Sequence, residues 1–312
     1  MDRLDAMTVL LAVVEARSFS AAARRLDMPL ATVSRKVNEL ETYLKTRLLH
    51  RTTRQLSLTE AGQSYVAACR RVLEDIGEAE RAATGEYASP KGDLTVTTPV
   101  VFGRIYVVPL VSEFLALYPD INIRLTLADR VAHLMEERID VAVRIGVLPD
   151  SALVATRVGT IRRVICASPA YLAAHGNPAH PNDLTEHQCI TFEGLSSASS
   201  WTFNARPSRI AVPVRTRLVV NTAEAAIAAA TCGLGLTNVL SYQVADAVRR
   251  GSLQVVLEQF ELEDWPIHLV HAGQAPLPLK LRAFLDFITP RLRSRMHQEA
   301  VDGIGKQGSA TP

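Results

Sequence analysis

A chain of 312 residues is too long for a single hydrophobic core and predicts two or three compact units. Apolar residues make up 48% and charged residues 21%, which excludes intrinsic disorder, and the net charge of +2 indicates no particular partner. The longest apolar run near the start, Val9 to Val14, is too short to span a bilayer, and Asp2 and Asp5 do not fit the basic start of an export signal. We therefore expect a cytoplasmic protein with no membrane partner.

The cysteines and histidines form no metal or redox pattern. The four cysteines are far apart, without a C-x-x-C pair: Cys69, Cys166, Cys189 and Cys232. We expect reduced thiols packed in hydrophobic cores. His175, His180 and His187 lie in a loop rich in Pro, Asn and Asp, and are expected to be solvated. No metal and no cofactor is predicted.

The distribution of charge is more informative than its total. Residues 1–58 hold ten Lys and Arg against six Asp and Glu, and the stretch 18–58 holds eight against three. A basic N-terminal unit followed by a mildly acidic remainder is typical of a chain whose first unit binds a polyanion. Taken alone, the same excess also fits solvated helical faces.

The first unit has the periodicity of three short helices. A first helix covers roughly the first sixteen residues, because apolar side chains recur at helical spacing: Leu4, Met7, Leu11 and Val14. Ser20 is expected to cap a short helix over 21–26, with Phe19 stapled onto the core. Asp27-Met28-Pro29 predicts a tight turn. A third helix then buries one stripe: Val33, Val37, Leu40 and Leu44.

The third helix exposes a polar face. Opposite its buried stripe lie Ala31, Arg35, Asn38 and Thr42. Small residues at its start permit close approach to a groove of duplex DNA, and the hydroxyls and the arginine can reach phosphates and base edges. The candidate DNA contacts on the helices are Ser20, Thr32, Ser34, Arg35, Lys36 and Asn38.

A basic hairpin follows the third helix. Between Arg47 and Leu58, two short strand-like pieces flank a polar turn, which predicts a wing that carries Arg51 and Arg54 toward the DNA backbone. The alternative is a three-helix cap whose basic residues only face water. The order of short helix, tight turn, polar-faced helix and basic hairpin favours nucleic-acid binding.

The same segments resemble the signature of LysR-type transcriptional regulators. The matching stretches are 18–26, 33–37, Leu40-Glu41, 51–54 and 58–62. The family often has Gly where Lys45 stands, Phe at Leu49, and Gln-Pro in place of Leu30-Ala31; the last difference concerns which bases are contacted. The resemblance implies a regulator that binds double-stranded DNA as a homodimer or homotetramer. RNA polymerase is kept open as a further partner.

A long helix is expected to follow the wing. From Thr59, its expected N-cap, a helical pattern continues to Gly85 with a heptad seam at Tyr65, Cys69, Val72, Ile76, Ala79 and Ala83. Such a stripe needs a partner surface, and we expect the same helix of a second copy. The resemblance implies an antiparallel pair. The alternative is a helix docked on its own sensor domain. Ser89-Pro90 is expected to end the helix.

Beyond residue 92, strand and helix patterns alternate, which predicts mostly parallel sheets covered on both faces. Strands are expected at 94–97, 121–127, 141–145, 164–167, 218–220 and 236–239. Helices are expected around 110–117, near 133–137, and at 170–174, 223–231 and 242–250.

The predicted fold class is an α+β chain in two parts. A winged helix-turn-helix covers 1–58, a long dimerisation helix covers 59–88, and an effector domain covers 92–300. The resemblance implies that this domain is a two-lobed α/β fold like that of periplasmic binding proteins, with a two-stranded hinge. We expect the first lobe at about 92–161 and 268–295, and the second at about 162–267.

Two strand-to-helix junctions, at Thr98-Pro99-Val100 and Asn221-Thr222, place hydroxyls and free N–H groups where a helix begins. Paired helix N-termini at one cleft attract a carboxylate, and Arg144 at a strand end adds a positive charge. Alternatively, the threonines are plain N-caps and Arg144 an ion-pair partner. The predicted site for a small-molecule effector, an organic anion, comprises Thr98, Val100, Phe102, Arg144, Thr191, Phe192, Asn221 and Thr222.

Two other classes of function stay open at this point. An enzyme is not expected, because the sequence has no G-x-S-x-G, H-E-x-x-H, P-loop or S-x-x-K pattern. The glycines of Gly233-Leu234-Gly235 follow a helix and indicate its C-cap rather than a nucleotide loop. A solute-binding protein for transport would have a leader peptide and no basic wing. Affinity for duplex DNA separates the three classes.

Overall fold

The computed structural model describes residues 2–51, 56–84, 89–130, 133–149, 152–194, 197, 199–205, 207–273 and 277–302. The chain forms two compact units, Met1–Ser89 and Pro90–Pro312. Each unit has its own hydrophobic core, and each is described by itself.

The first unit is a helical bundle closed by a two-stranded hairpin. Its elements are α1 (Arg3–Ala16), α2 (Phe19–Arg25), α3 (Leu30–Leu44), β1 (Leu49–Arg51), β2 (Leu56–Leu58) and α4 (Glu60–Thr84). β1 and β2 pair antiparallel, with Leu49 opposite Leu58. The apolar stripes of α1 and α3 meet in the core, where Leu10, Val37 and Leu40 are fully buried. This is the winged helix-turn-helix arrangement that the sequence predicts.

Single residues determine three helix ends in this unit. Ser18 caps α2, since its Oγ accepts a hydrogen bond from the N–H of Ala21 at 3.3 Å. The prediction that Ser20 is the cap is wrong, because the helix begins earlier and contains Ser20. Thr59 caps α4 as predicted, accepting from the N–H of Gly62 at 2.9 Å. α3 ends at Lys45, whose φ of 51° lies in the left-handed region.

The second unit is built from alternating strands and helices. Its strands are β3 (Gly92–Thr98), β4 (Ile121–Leu127), β5 (Val141–Ile145), β6 (Leu153–Ile161), β7 (Arg163–Ala167), β8 (Gln188–Phe192), β9 (Ser200–Ala205), β10 (Ser208–Pro213), β11 (Arg215–Val220), β12 (Leu236–Leu240), β13 (Gln254–Val256) and β14 (Trp265–Ala272). Its helices are α5 (Val100–Phe102) and α6 (Val108–Leu117), which a π-helical turn (Gly103–Val107) connects, then α7 (Pro169–His175), α8 (Ala223–Thr231), α9 (Ser241–Arg249) and α10 (Leu279–Asp302).

The strands form two five-stranded sheets, one in each lobe, and a separate hairpin of β9 and β10. The first sheet has the order β4-β3-β5-β14-β6, and the second has the order β11-β8-β12-β7-β13. The chain crosses between the lobes after β6 and again before β14, and Ile161 lies opposite Trp265 at this crossing. β14 therefore starts slightly before the lobe boundary expected at 267/268.

Two expectations for this unit are wrong. Each sheet is mixed rather than mostly parallel: β3 runs parallel to β4 and β5, but β14 runs antiparallel to β5 and β6. In the second sheet, β8 has parallel neighbours, whereas β7 is antiparallel to β12 and β13. The helix expected near 133–137 is a turn over 134–138, and its last residue, Arg138, has a φ of 56° that cannot continue a helix.

The helical stretch Val100–Leu117 is long and apolar enough to cross a membrane by length and composition. Its side chains Phe102, Leu110 and Phe114 are buried in the hydrophobic core that the two lobes share. The ring of Phe114 makes edge contacts with Phe284 and Phe287 of α10. These contacts are those of the core helix of a globular domain.

Candidate nucleic-acid interface and ligand cleft

The outer face of α3 is exposed and polar. Ala31, Arg35, Asn38 and Thr42 are all exposed, and they line a shallow groove together with Ser34, Glu39 and Tyr43. Arg35 Nη1 lies 2.6 Å from Glu39 Oε1, one helical turn on, and both side chains remain open to water. An exposed pair of this kind is weak and can be exchanged for a phosphate or a base edge.

The other helical candidates differ in exposure. Thr32 and Ser34 are partly buried at the flank of α3. Lys36 is also partly buried and forms an ion pair with Asp5 of α1, which fastens α3 to α1. Ser20 is exposed on α2 and lies in a hollow with Arg24 and the residues of the turn between α2 and α3.

A carboxylate connects the hairpin to α3. Glu41 Oε1 accepts hydrogen bonds from the N–H groups of Leu48 at 2.8 Å and Leu49 at 3.0 Å. Sequence reasoning noted Glu41 only within the family-like signature and missed this role. The side chain of Arg51 and the whole of Arg54 lie outside the described residues, so their predicted contact with the DNA backbone stays a prediction.

The apolar stripe of α4 divides into two parts. Tyr65 packs against the core of the first unit, and Cys69 is buried next to the Tyr65 hydroxyl. Burial raises the pKa of Tyr65 to about 12, with the adjacent Cys69 adding to the effect. Val72 is 40% exposed and Ile76 is partly exposed. Ala79 and Ala83, further along the predicted seam, have side chains outside the described set.

A cleft of about 120 Å³ lies between the two lobes, at the carboxyl ends of β3, β4 and β5 and the start of α9. Its polar lining consists of Thr97, Thr98, Asp129, Arg130, Arg144, Tyr242 and Gln243, and its apolar lining includes Phe192, Leu240 and Trp265. Carboxyl ends of strands are where open α/β sheets bind ligands.

Three of the predicted effector residues, Thr98, Arg144 and Phe192, line this cleft. Val100 and Phe102 do not: Phe102 is fully buried, and its ring stands edge-on to that of Tyr242 at 5.7 Å. Phe102 therefore supports a lining residue from the core.

The remaining three predicted residues belong to the second lobe and lie outside the cleft lining. Thr191 is buried, with its hydroxyl 2.9 Å from that of Thr216 on the neighbouring strand. Thr222 is a plain N-cap that accepts from the N–H of Ala225 at 3.3 Å, and Asn221 beside it is exposed. β11, which precedes α8, is the edge strand of the second sheet, and neither Asn221 nor Thr222 is among the residues that line the cleft.

The predicted site omitted five polar residues of the cleft lining: Thr97, Asp129, Arg130, Tyr242 and Gln243. Asp129 follows β4, and its Oδ1 accepts a hydrogen bond from the N–H of Val100 at 3.0 Å. Gln243 is in the first turn of α9, and its Oε1 accepts from the N–H of Leu240 at 2.9 Å. The signal for Asp129 was available, because it stands at a strand end as Thr98 and Arg144 do.

The two arginines of the cleft share one carboxylate neighbour. Arg130 forms a two-pronged pair with Glu137, at 2.7 and 2.5 Å. This pair holds the pKa of Glu137 down to about 2. Burial lowers the pKa of Arg144, with Glu137 opposing the change and Arg130 adding to it. At neutral pH both arginines keep their charge.

Comparisons with known proteins agree with both units. The chain matches the family described as bacterial regulatory helix-turn-helix protein, lysR family, over residues 4–63, and the LysR substrate binding domain over residues 88–293. An HTH-type transcriptional repressor of Pseudomonas aeruginosa is 36% identical over 290 residues, which cover 92% of each chain.

Solved structures of similar proteins cover nearly the whole chain. The structure of CrgA, a LysR-type transcriptional regulator from Neisseria meningitidis, is 32% identical, with a TM-score of 0.59 over 92% of this chain and 98% of that one. The full-length structure of the Vibrio cholerae virulence activator AphB is 28% identical, with a TM-score of 0.58 over 91% of this chain and 98% of its own. The chain therefore belongs to the LysR family: it is a transcriptional regulator with a helix-turn-helix head and an effector-binding domain, and not an enzyme.

Proposed function

We propose that the first unit binds operator DNA through the exposed face of α3, with the hairpin on the phosphate backbone. The observation that carries the proposal is the groove on α3, where Arg35 and Asn38 are exposed while the opposite stripe fills the core. Arginine and asparagine are side chains that bond base edges in the major groove. Arg54 contributes to affinity through phosphates. This division assigns DNA binding to 1–58, assembly to 59–88 and effector binding to 92–300.

Gel-shift titration with the native upstream region tests this proposal. Arg35→Ala weakens specific binding by about 1–3 kcal/mol if the guanidinium bonds a base edge. Arg54→Ala lowers affinity evenly for specific and random duplexes. Arg70→Ala is the matched control, because it removes the same charge from an exposed position on α4. Unchanged affinity in both Arg35→Ala and Arg54→Ala contradicts this docking.

Assembly into a homodimer, or a tetramer built from two dimers, completes the operator-binding form. Two copies related by a twofold axis place two recognition helices in successive major grooves. The exposed part of the α4 stripe, from Val72 onward, is the surface proposed for the pairing. In this form the protein acts in the cytoplasm, at promoters where RNA polymerase is present.

The second unit binds a small organic acid in the cleft between its lobes. The observation that carries this is the partly buried Arg144, which lines the cleft beside Arg130. A carboxylate forms charge-assisted hydrogen bonds with a guanidinium, and a partly dry site strengthens them. Binding controls transcription only if the acid has a different affinity for two shapes of the assembly.

Calorimetric titration of candidate acids into Arg144→Ala and Thr98→Val proteins tests the cleft. We expect Arg144→Ala to lose most of the affinity, because it removes the fixed charge. Thr98→Val keeps the shape of the side chain and reports on its hydroxyl alone. Wild-type affinity in both variants, with an undiminished DNA response, places the effector site elsewhere.

A further inference from the structure

The lining of the cleft between the lobes carries charges of both signs. Arg130 and Arg144 are its cations, and Glu137 is the carboxylate that acts on the pKa of Arg144. Asp129 is its carboxylate, and the charge acting on the pKa of Asp129 is that of Glu224. Glu224 is itself 3.6 Å from Arg104, in an exposed ion pair that connects the two lobes.

Asp129 has one oxygen in use and one without a partner. Its Oδ1 accepts the hydrogen bond from Val100 N–H. A carboxylate of the chain itself therefore already binds this N–H group at the start of α5. Its Oδ2 is buried and has no hydrogen-bond partner among the described residues. Burial raises the pKa of Asp129, the Val100 N–H opposes this, and Glu224 adds to it. A buried acceptor left without a donor is costly, and such atoms often mark a place that a ligand completes.

We propose that the cleft takes a small carboxylic acid that also carries a hydrogen-bond donor, with its carboxylate at Arg144 and its donor at Asp129 Oδ2. This inference rests on the proposed binding of an organic acid in the same cleft. An ammonium donor is preferred to a hydroxyl because of the charge balance: Glu137 and Asp129 already offset Arg130 and Arg144. A zwitterion leaves this balance unchanged, whereas a simple carboxylate adds an uncompensated negative charge to a partly buried site.

The size of the cleft limits the ligand to a small molecule. Its volume of about 120 Å³ is below the roughly 300–1,000 Å³ that is usual for pockets of drug-sized ligands. Phe192 and Trp265 are apolar lining residues, which suit a short hydrocarbon part of the ligand.

Two matched series of acids test the proposal on the full-length protein. The first is propionate, lactate and alanine, and the second is 3-phenylpropionate, phenyllactate and phenylalanine. Within each series only one group changes, from hydrogen to hydroxyl to ammonium. Calorimetric titration of the wild-type protein should show, in at least one series, binding that strengthens in this order, with the amino acid at least tenfold tighter than the unsubstituted acid.

Asp129→Asn should remove this preference, because the amide keeps an oxygen for Val100 N–H but replaces the second acceptor by a donor. Asp120→Asn is the control, since it makes the same change at an exposed position outside the cleft lining. The wild-type series decides the question even if Asp129→Asn does not fold.

The outcomes distinguish this inference from the proposed binding of an organic acid, on which it rests. If the unsubstituted acids bind as tightly as their hydroxy and amino counterparts, or if Asp129→Asn keeps the preference, the donor requirement is overturned and the acid site stands. If no acid of either series binds the wild-type protein, or if binding is indifferent to Arg144→Ala, the proposed acid site itself fails.

Discussion

Glu41 at the end of α3 accepts a hydrogen bond from the N–H of Leu48, and the same oxygen accepts a second from Leu49. Both leucine side chains are about 1% exposed. The carboxylate therefore fixes where the hairpin leaves the helical bundle, and with it the angle at which the wing meets α3.

We predict that Glu41→Ala destabilises the first unit, because two N–H groups lose a charged acceptor, each such bond being worth about 1.5–3 kcal/mol. Hydrogen exchange of the full-length protein, followed in peptides from 2–51, should show faster exchange around β1. Glu41→Gln should restore part of the protection, since its amide oxygen can accept the same bonds. Exposed Thr46→Ala serves as the control, and equal protection in Glu41→Ala and Thr46→Ala contradicts the role given to this carboxylate.

Lys45→Gly should stabilise the same unit. A left-handed φ costs a non-glycine residue roughly 1–2 kcal/mol, and Lys45→Gly removes this cost. Glycine in turn destabilises the folded state by about 0.5–1 kcal/mol, because it has more conformational freedom to lose on folding. The expected net gain is about 0.5–1 kcal/mol, seen as slower exchange in peptides from 2–51. Thr46→Gly, at the next position where φ is not positive, should instead destabilise the unit. A loss of protection in both variants excludes strain at Lys45.

Much of the local structure could be predicted because it depends on short-range patterns. β5 and α8 have the bounds that periodicity indicates, at 141–145 and 223–231. The choice between Ser18 and Ser20 as the cap of α2 could not be made this way, because both residues are suitable and stand two positions apart. β14 could not be placed either, since its insertion between β5 and β6 depends on a chain crossing far away in sequence.

The candidate cleft was predictable only where strand ends indicated it. Thr98 and Arg144 were predicted because Thr98 is the last residue of β3 and Arg144 lies near the end of β5. Asp129 was not predicted because a carboxylate does not attract an anion. Thr222 was chosen over Gln243 because the sequence cannot show which helix start supplies residues to the cleft lining. That depends on strand order: β12, which precedes α9, is central, and β11 is at the edge.

Ile76→Asp should split the assembly in solution. Among the described residues of its stripe, α4 is buried by its own unit up to Cys69, and the surface from Val72 onward is the one proposed to pair with a second copy. A carboxylate there would be buried without a partner, which costs several kcal/mol. Sedimentation should show a lower mass for Ile76→Asp than for the wild type. Ala67→Asp, exposed on the opposite side of α4, should keep the wild-type mass, and an unaltered mass in Ile76→Asp rejects the seam.

The cysteines should differ sharply in reactivity toward a disulfide reagent. Cys69, Cys166 and Cys189 are buried, but Cys232 is exposed at the end of α8, which corrects the expectation that all four lie in cores. Burial raises the pKa of both Cys166 and Cys189 to about 12. A raised pKa keeps a thiol protonated up to higher pH, so at pH 8 only roughly one molecule in ten thousand carries the reactive thiolate at either position.

The native protein should therefore release one equivalent of reagent chromophore rapidly at pH 8, from Cys232. The other three equivalents should appear only on unfolding in guanidinium chloride, because unfolding exposes the thiols and returns their pKa to the ordinary range. Cys232→Ser should abolish the rapid phase and leave the slow one. A rapid phase that persists in Cys232→Ser would mean that a buried thiol is reached in the native state, and repeating the assay on Cys166→Ser and Cys189→Ser would identify which one.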